Sequence, residues 1–363
     1  MKNSFGNNII ITLFGESHGE MIGAILDGMP SGIPIDIDFI NQRMQRRKAY
    51  GKISTARIEA DLPQIVSGVY NGYTTGTPLT VLIKNSNTSS NDYSDIQNMP
   101  RPSHADYTAI AKYGECRDYR GGGHFSGRLT APIVAAGAII EYMLMAKGIE
   151  IGTHIKMLGG ISDIELGDIH NDIITLSKKQ FPTLSESAEK EMVTLIEEVA
   201  KDGDSIGGIL ETAIIGVPAG IGEPWFDTLE GELAHALFSI PAVKGVEFGC
   251  GFGFAELRGS AANDEFATDG EKIFTKTNNN GGINGGISNG MPIILRSVVK
   301  PTPSIFKEQA TVDLQKMENT TLAIKGRHDP AIIHRARPVV DAVCALVIAD
   351  MIATKYGTDW FKI

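Results

Sequence analysis

Two stretches constrain the fold of this chain more than any others: LTAPIVAAGAIIEYMLMAKG at 129–148 and PVVDAVCALVIADMIATKYG at 338–357. Both are apolar through most of their length and rich in small residues. Both also carry charged residues, and neither is a continuous apolar span of membrane length. They read as core helices. Thr130 followed by Pro132 suits a helix start, and Gly148 suits its stop. At 363 residues and 42% hydrophobic content the chain can bury a sizeable core, which allows one large domain or two tightly packed ones.

The remaining pattern is mixed. Strands are expected at 8–14, 64–70, 79–84, 151–158, 207–217, 243–249 and 291–299, and helices at 36–49, 129–147, 186–202, 227–239 and 336–355. The two types come in clusters rather than strict alternation, which argues for α+β layers over a doubly wound parallel sheet. The polar, weakly patterned stretch 160–190 reads as a surface-lying insertion. NNNGGINGGISNG at 278–290 is the one low-complexity segment, and the 41 glycines and 16 prolines imply many tight turns.

Net charge of −10 and a pI near 5.3 argue against a general nucleic-acid binder. Cys116, Cys250 and Cys344 form no C-x-x-C pair, which fits a reducing cytoplasm better than a disulfide framework or a zinc site. The N-terminus does not read as a secretory signal, and no metal-ligand spacing stands out among the eight scattered histidines.

GESHG at 15–19 matches the G-x-S-x-G pattern of serine hydrolases. A nucleophile elbow needs several strands before it and a helix after it. Ser17 comes too early for the first, and the following EMIGAILDGMPSG reads as a short strand and a turn. What remains is a strand ending in a glycine-flanked Ser17–His18 pair, either a polar turn or a catalytic strand end.

Cations cluster against the global charge. Arg43, Arg46 and Arg47 share one face of a helix at i, i+3 and i+4, with Ile37, Ile40 and Met44 facing the core, and Lys48, Lys52 and Arg57 follow. With no acidic residue interleaved, the run reads as a site for a small phosphate or carboxylate ligand. RPSHADY sets Arg101 three residues before His104. RDYRGGGHFSGRLTA places Arg117, Arg120 and Arg128 around three glycines whose backbone N–H groups can face an anion. KPTPSI offers Lys300, Thr302 and Ser304 as a phosphate clasp. GRHDP and HRARP bring Arg327, His328, Asp329, Arg335 and Arg337, where Asp329 is either an ion-pair partner or a proton acceptor.

Taken together and in order, GESHG, RPSHADYT, RDYRGGGHFSGRLTAP, KDGDSIGG, GVPAGIGEP, AVKGVEFG, NNNGGINGGIS, KPTPSI, GRHDP and HRARPV resemble chorismate synthase, from residue 15 to residue 339. The resemblance implies a lyase of the shikimate pathway that converts 5-enolpyruvylshikimate-3-phosphate into chorismate and phosphate, with reduced FMN and no net redox change. It also implies an α+β fold, a β-α-β sandwich with helices packed between antiparallel sheets, one domain over 1–363, and a cytoplasmic homotetramer. Neither nucleic acid nor membrane is an implied partner.

By the same resemblance, Arg47, Lys52, Arg101, Arg128 and Arg335 are the substrate-anchoring cations. His18 is the acid that protonates the leaving phosphate, and His104 meets the reduced flavin. Asp329 is similar to the aspartate that assists proton removal through flavin N5, with Ser17 and Ser126 supporting the relay. Flavin contacts are expected at His124, Phe125 and Ser126, at Pro241 and Ala242, at Gly285, at Lys300, Pro301, Thr302, Pro303 and Ser304, and at Arg327. Two departures stand out: RGGGHFSGR replaces the common RGGGRSSAR, and the turn after Arg47 is shorter than RRQGGYGRG. No extra module for NADPH-driven flavin reduction is apparent.

Overall fold

The computed structural model describes residues 3–54, 61–86, 97–324 and 328–362. Helices run over Ile37–Arg47 (α1), Asp106–Tyr113 (α2), Thr130–Met145 (α3), Ile169–Ser177 (α4), Glu186–Lys201 (α5), Leu229–Phe238 (α6), Gly259–Ala262 (α7) and Ile333–Tyr356 (α8). One antiparallel sheet takes the strands Ser4–Phe5, Ile10–Gly15, Met21–Asp27, Leu79–Lys84 and Gln64–Ser67 in that spatial order. The other takes Val243–Phe248, Ile293–Val299, Gly208–Ile215, Glu150–Leu158 and Ile161–Ser162.

The two apolar helices fill the space between the sheets. α3 packs on Met21–Asp27 and Leu79–Lys84, α8 on Glu150–Leu158 and Gly208–Ile215, and the two helices pack on each other. Every residue from Thr130 to Glu141 and from Ala336 to Ala353 is buried. A helix covered on all sides needs apolar residues on all sides, which is why neither shows a polar stripe. Their close crossing depends on Gly137, where an added Cβ would stand 2.3 Å from the Cβ of Ala342. The α+β layering read from the pattern, and the sandwich implied by the resemblance, are the observed fold. The segment Gly127–Met145 is long and apolar enough to cross a bilayer, but 89% of its window is buried inside the protein.

The expected strands and long helices appear within a few residues of their observed limits, and α8 begins three residues earlier, at Ile333. Two expectations need amendment. The stretch 160–190, read as surface-lying, holds a helix that was not expected: α4 packs on Glu150–Leu158 and buries Ile173 and Leu176. Ile169, Ile173 and Leu176 keep helical spacing behind the capping Asp168, but the pattern spans only nine residues. On α1, Ile40 and Met44 are buried as expected, but Ile37 is 54% exposed. It sits in the first turn, directly after the capping Asp36, whose carboxylate accepts the Phe39 N–H at 2.8 Å.

Candidate active site

The GESHG segment leaves the first sheet at Gly15, and its Ser17 and His18 turn inward, 3% and 8% exposed. They are packed there by the triple-glycine turn. Ser17 N–H donates to Gly123 O at 3.1 Å. Gly121 takes φ +58°, and a Cβ on it would lie 2.3 Å from His18 Cε1 and 2.9 Å from Ser17 Oγ. Only glycine tolerates both that backbone and that proximity. One residue on, Gly122 faces the other histidine, with its Cβ direction 3.4 Å from His104 Cε1. The turn therefore stands between His18 and His104. His124 Nδ1 anchors it to Gly15 O at 2.8 Å.

His104 is fixed by its own loop. Nδ1 lies 2.7 Å from Asp106 Oδ1, and Arg101 donates to the same carboxylate through Nε and Nη2, each at 2.8 Å. Nδ1 also lies 3.0 Å from Arg101 Nη2, so the arginine and the carboxylate converge on one face of the imidazole. Burial would raise the Asp106 carboxyl, but the hydrogen bonds from Arg101 and His104 outweigh it and hold it well below the usual range. Arg101 Nη1 also donates to Ser304 Oγ at 3.3 Å, and Lys300 Nζ to Ser103 O at 2.6 Å. The 300–304 clasp thus lies against the His104 loop, and Lys300 N–H to Ala242 O adds the 241–242 corner.

Three arginines complete the arrangement. Asp61, 5% exposed, takes Arg47 Nη1 on one oxygen at 3.1 Å and Arg128 Nη1 on the other. Arg47 Nε donates to Thr130 Oγ1 at 2.9 Å, at the start of α3, and Arg47 Nη2 to Gly127 O at 2.9 Å. Ser126 Oγ accepts Arg128 N–H at 3.3 Å. Asn85 ties this group to the GESHG turn: its Oδ1 accepts from Arg128 Nε at 3.0 Å and its Nδ2 donates to Glu16 O and Gly19 O. Arg335 Nε donates to Arg47 O at 2.9 Å, and Arg335 Nη1 pairs with Asp329 Oδ2. Beside it His334, fully buried with Nε2 at 2.8 Å from Ser54 Oγ, is pushed down to about 4 by burial.

A continuous series of contacts thus joins Ser17, His18, His104, Ser126, Arg47, Arg101, Arg128, Arg335 and Asp329. A cleft of about 480 Å³ opens beside it, lined by His104, Gly122, His124 and Phe125 together with Tyr113 and Arg117. Among the described contacts, Gly285 belongs to a hairpin turn held against the start of α6, where Leu229 N–H donates to Gly286 O. Arg327 and the Lys52 side chain lie outside the described residues, as does Arg57.

The single basic cluster read from 43–57 also divides. Arg47 joins the site, whereas Arg43 pairs with Glu141 at 2.6 Å and Arg46 donates to Ser177 O, both away from it. The acidic partners missing from the local sequence arrive from elsewhere in the chain. Asp61, Asp106, Asp118 and Asn85 were not anticipated. Asp106 had a signal, two residues past His104 in the same motif. Asp118 lies beside Arg120, which lowers its carboxyl by hydrogen bonding, helped by the charge of His18. Asp61 and Asn85 had no signal, since their partners are 14 to 69 residues away. Among the described residues no His, Cys, Asp or Glu group is arranged to hold a metal.

With this geometry in hand, the comparisons with known proteins are specific. The chorismate synthase family model matches residues 9–353. A chorismate synthase of Thermococcus gammatolerans is 47% identical over 345 residues, covering 95% of this chain and 96% of that protein. One of Dehalococcoides mccartyi is 49% identical over 355 residues, covering 97% and 96%. A crystal structure of chorismate synthase superposes with a TM-score of 0.75 at 30% identity, over 97% of this chain and 94% of that one.

Proposed function

The chain belongs to the chorismate synthase family, and on that premise we propose that the cluster of His18, His104 and the Asp61-held arginines, with the cleft beside it, is its catalytic centre. The activity is that of the family: a carbon–oxygen lyase reaction of the shikimate pathway, anti-1,4-elimination of phosphate from 5-enolpyruvylshikimate-3-phosphate to give chorismate. The substrate is a small molecule with two carboxylates and a phosphate, and the family depends on reduced flavin.

Arg47, Arg128, Arg335 and Arg101, with Lys52, bind the three anionic groups. Asp61 holds two of these guanidiniums in one orientation, so little side-chain freedom is lost when substrate binds. His18 gives its proton to the departing phosphate oxygen, the general-acid role that imidazole side chains most often fill. Asp329, paired with Arg335, is the base side of the elimination, and Ser17 and Ser126 support proton movement. The glycine turn packs against both histidines and fixes their separation.

The donor set fits a flavin. The Phe125 and Tyr113 rings meet edge to face at 5.9 Å on the cleft wall beside His104, and Lys300 stands at the His104 loop. His104, His124, Phe125 and Ser126 would hold it with Pro241, Ala242, Gly285, Arg327 and Lys300 to Ser304. When bound, reduced FMN supplies an electron-rich ring that stabilises positive charge on the substrate without net oxidation.

We read residues 1–363 as one domain, which the core shared by both sheets supports. The protein acts in the cytoplasm as a homotetramer: Trp225, Phe226 and Phe252, 83%, 95% and 87% exposed, are the kind of surface that assembly covers. It relies on external reductant. The observation that carries the functional reading is the glycine turn packed against both His18 and His104 beside Arg128. Its test is anaerobic turnover with dithionite-reduced FMN: chorismate and phosphate should appear in equal amounts with no flavin consumed. Flavin oxidation in step with turnover would instead mark an oxidoreductase.

A further inference from the structure

A second cavity, of about 170 Å³, lies between α1, α3, α4, α8 and the strand Glu150–Leu158. It receives the two arginines of α1 that the catalytic pocket leaves out. Arg43, Arg46 and Arg337 line it with Glu141, and its remaining wall is mostly apolar, from Leu144, Ile149 and Ile151 to Ile173 and Ile174.

The polar groups in this cavity are incompletely matched. Glu141 Oε2 accepts from Arg43 Nε at 2.6 Å, and Arg46 Nη2 donates to Ser177 O. Arg337, 1% exposed, donates through Nη2 to Leu176 O at 2.8 Å. Its Nε lies 3.3 Å from Asp341 Oδ2 without making a hydrogen bond, while Asp341 Oδ1 is taken by Thr153 Oγ1 at 2.6 Å. Arg337 Nε and Nη1 and Glu141 Oε1 are buried with no hydrogen-bond partner among the described residues. Unmet charged donors and acceptors at this depth are strongly disfavoured. Burial, then repulsion from Arg337 and Arg43, lowers the Arg46 guanidinium to about 9 against the pull of Asp341 and Glu141; Glu150 and His170 complete the polar part of the lining.

A complementary ligand therefore carries an anionic acceptor for Arg337, a donor for Glu141 Oε1 and an apolar tail. We propose that this cavity is a binding site for a small apolar α-amino acid, its carboxylate on Arg337 and Arg46, its ammonium on Glu141, and its side chain against the isoleucines. A simple inorganic anion would leave Glu141 and the apolar wall unused. The site is separate from the catalytic pocket but borne on the same helices: Arg46 adjoins Arg47, and Arg337 follows Arg335 by two residues.

The test is isothermal titration of the full-length protein with L-leucine, L-methionine and L-phenylalanine, then with 4-methylpentanoate, which lacks the ammonium, and isopentylamine, which lacks the carboxylate. Because no turnover is read, the result is independent of the catalytic assignment. The expected result is one-site binding of at least one amino acid at millimolar concentration, weaker for the carboxylate, absent for the amine, and retained when the catalytic pocket is saturated with 5-enolpyruvylshikimate-3-phosphate. R46Q should weaken it about tenfold or more, the contribution of one charge-assisted hydrogen bond, and R337L should abolish it. Since R337L alters the core, R46Q with an unchanged Tm carries the comparison. Binding of none of the three amino acids, equal binding of the amine, displacement by the substrate, or indifference to both substitutions would overturn the proposal.

Discussion

The tightest constraint on the catalytic pocket is the position of Gly121, so Gly121→Ala is the sharpest perturbation. The backbone there has φ +58°, where an L-residue carries a strain of about 1–2 kcal/mol. The added methyl would stand 2.3 Å from His18 Cε1 and 2.5 Å from His18 Nδ1. Normal contact between such atoms is about 3.5 Å, so the imidazole must retreat by roughly 1 Å. A displacement of that size at a reacting group lowers turnover about 100-fold. Gly122→Ala is the matched control: its φ is +85°, but the nearest atom, His104 Cε1, is 3.4 Å away. Both variants suffer backbone strain and lower Tm, and only G121A drives a methyl into His18. Turnover is read anaerobically with reduced FMN, beside thermal unfolding of each variant. If folded G121A turned over within twofold of G122A, the glycine turn would not be what positions His18.

His18→Ala is expected to lose turnover by about 10²–10⁴-fold while keeping much of its substrate affinity, measured as separate kcat and KM values. Asp61→Asn leaves Arg47 and Arg128 without their shared carboxylate; removing one partner of a buried ion pair costs about 3–5 kcal/mol, so a marked fall in Tm with raised KM is expected on denaturation and kinetic assays. In the second sheet His154, fully buried, lies between Asp163 and Glu211 at 2.9 and 3.1 Å. Burial favours its neutral form, but the two carboxylates outweigh it and raise its pKa above the usual value. Its contribution to stability is therefore complete below about pH 6.5 and is lost as pH rises through the raised folded value. Compared with H154Q, the native chain should lose more Tm on going from pH 6 to alkaline pH; parallel profiles would argue against an ionised His154. Gly137→Ala should lower stability by about 1–3 kcal/mol through overpacking against Ala342, read by chemical denaturation.

The long elements were legible because their pattern is local. α3 and α8 are apolar through most of their length, and the central strands are short apolar runs bounded by turns. α4 was missed although Ile169, Ile173 and Leu176 keep i, i+4, i+7 spacing after the capping Asp168, because so short a pattern lies within a polar stretch. Much of the candidate pocket was legible as well: His18, His104, the glycine turn, Arg101, Arg128 and Arg335 sit in compact motifs, and the structure brings them together. Its supporting residues were not. Asp61 and Asn85 act across the fold, and nothing within a few residues of either marks them out. The split of Arg43 and Arg46 from Arg47 had the same cause. A face shared at i, i+3 and i+4 is about 100° wide, and which neighbour each guanidinium meets is decided by α3, α4 and α8.

The central claim is that one pocket holds the substrate's three anionic groups, with its phosphate at His18. The most direct measurement is a crystal structure of this chain with 5-enolpyruvylshikimate-3-phosphate and oxidised FMN. The phosphate should lie within hydrogen-bond distance of His18, the carboxylates on Arg47, Arg128 and Arg335, and the flavin beside His104. Density for the substrate away from His18, or with no contact to those arginines, would contradict it.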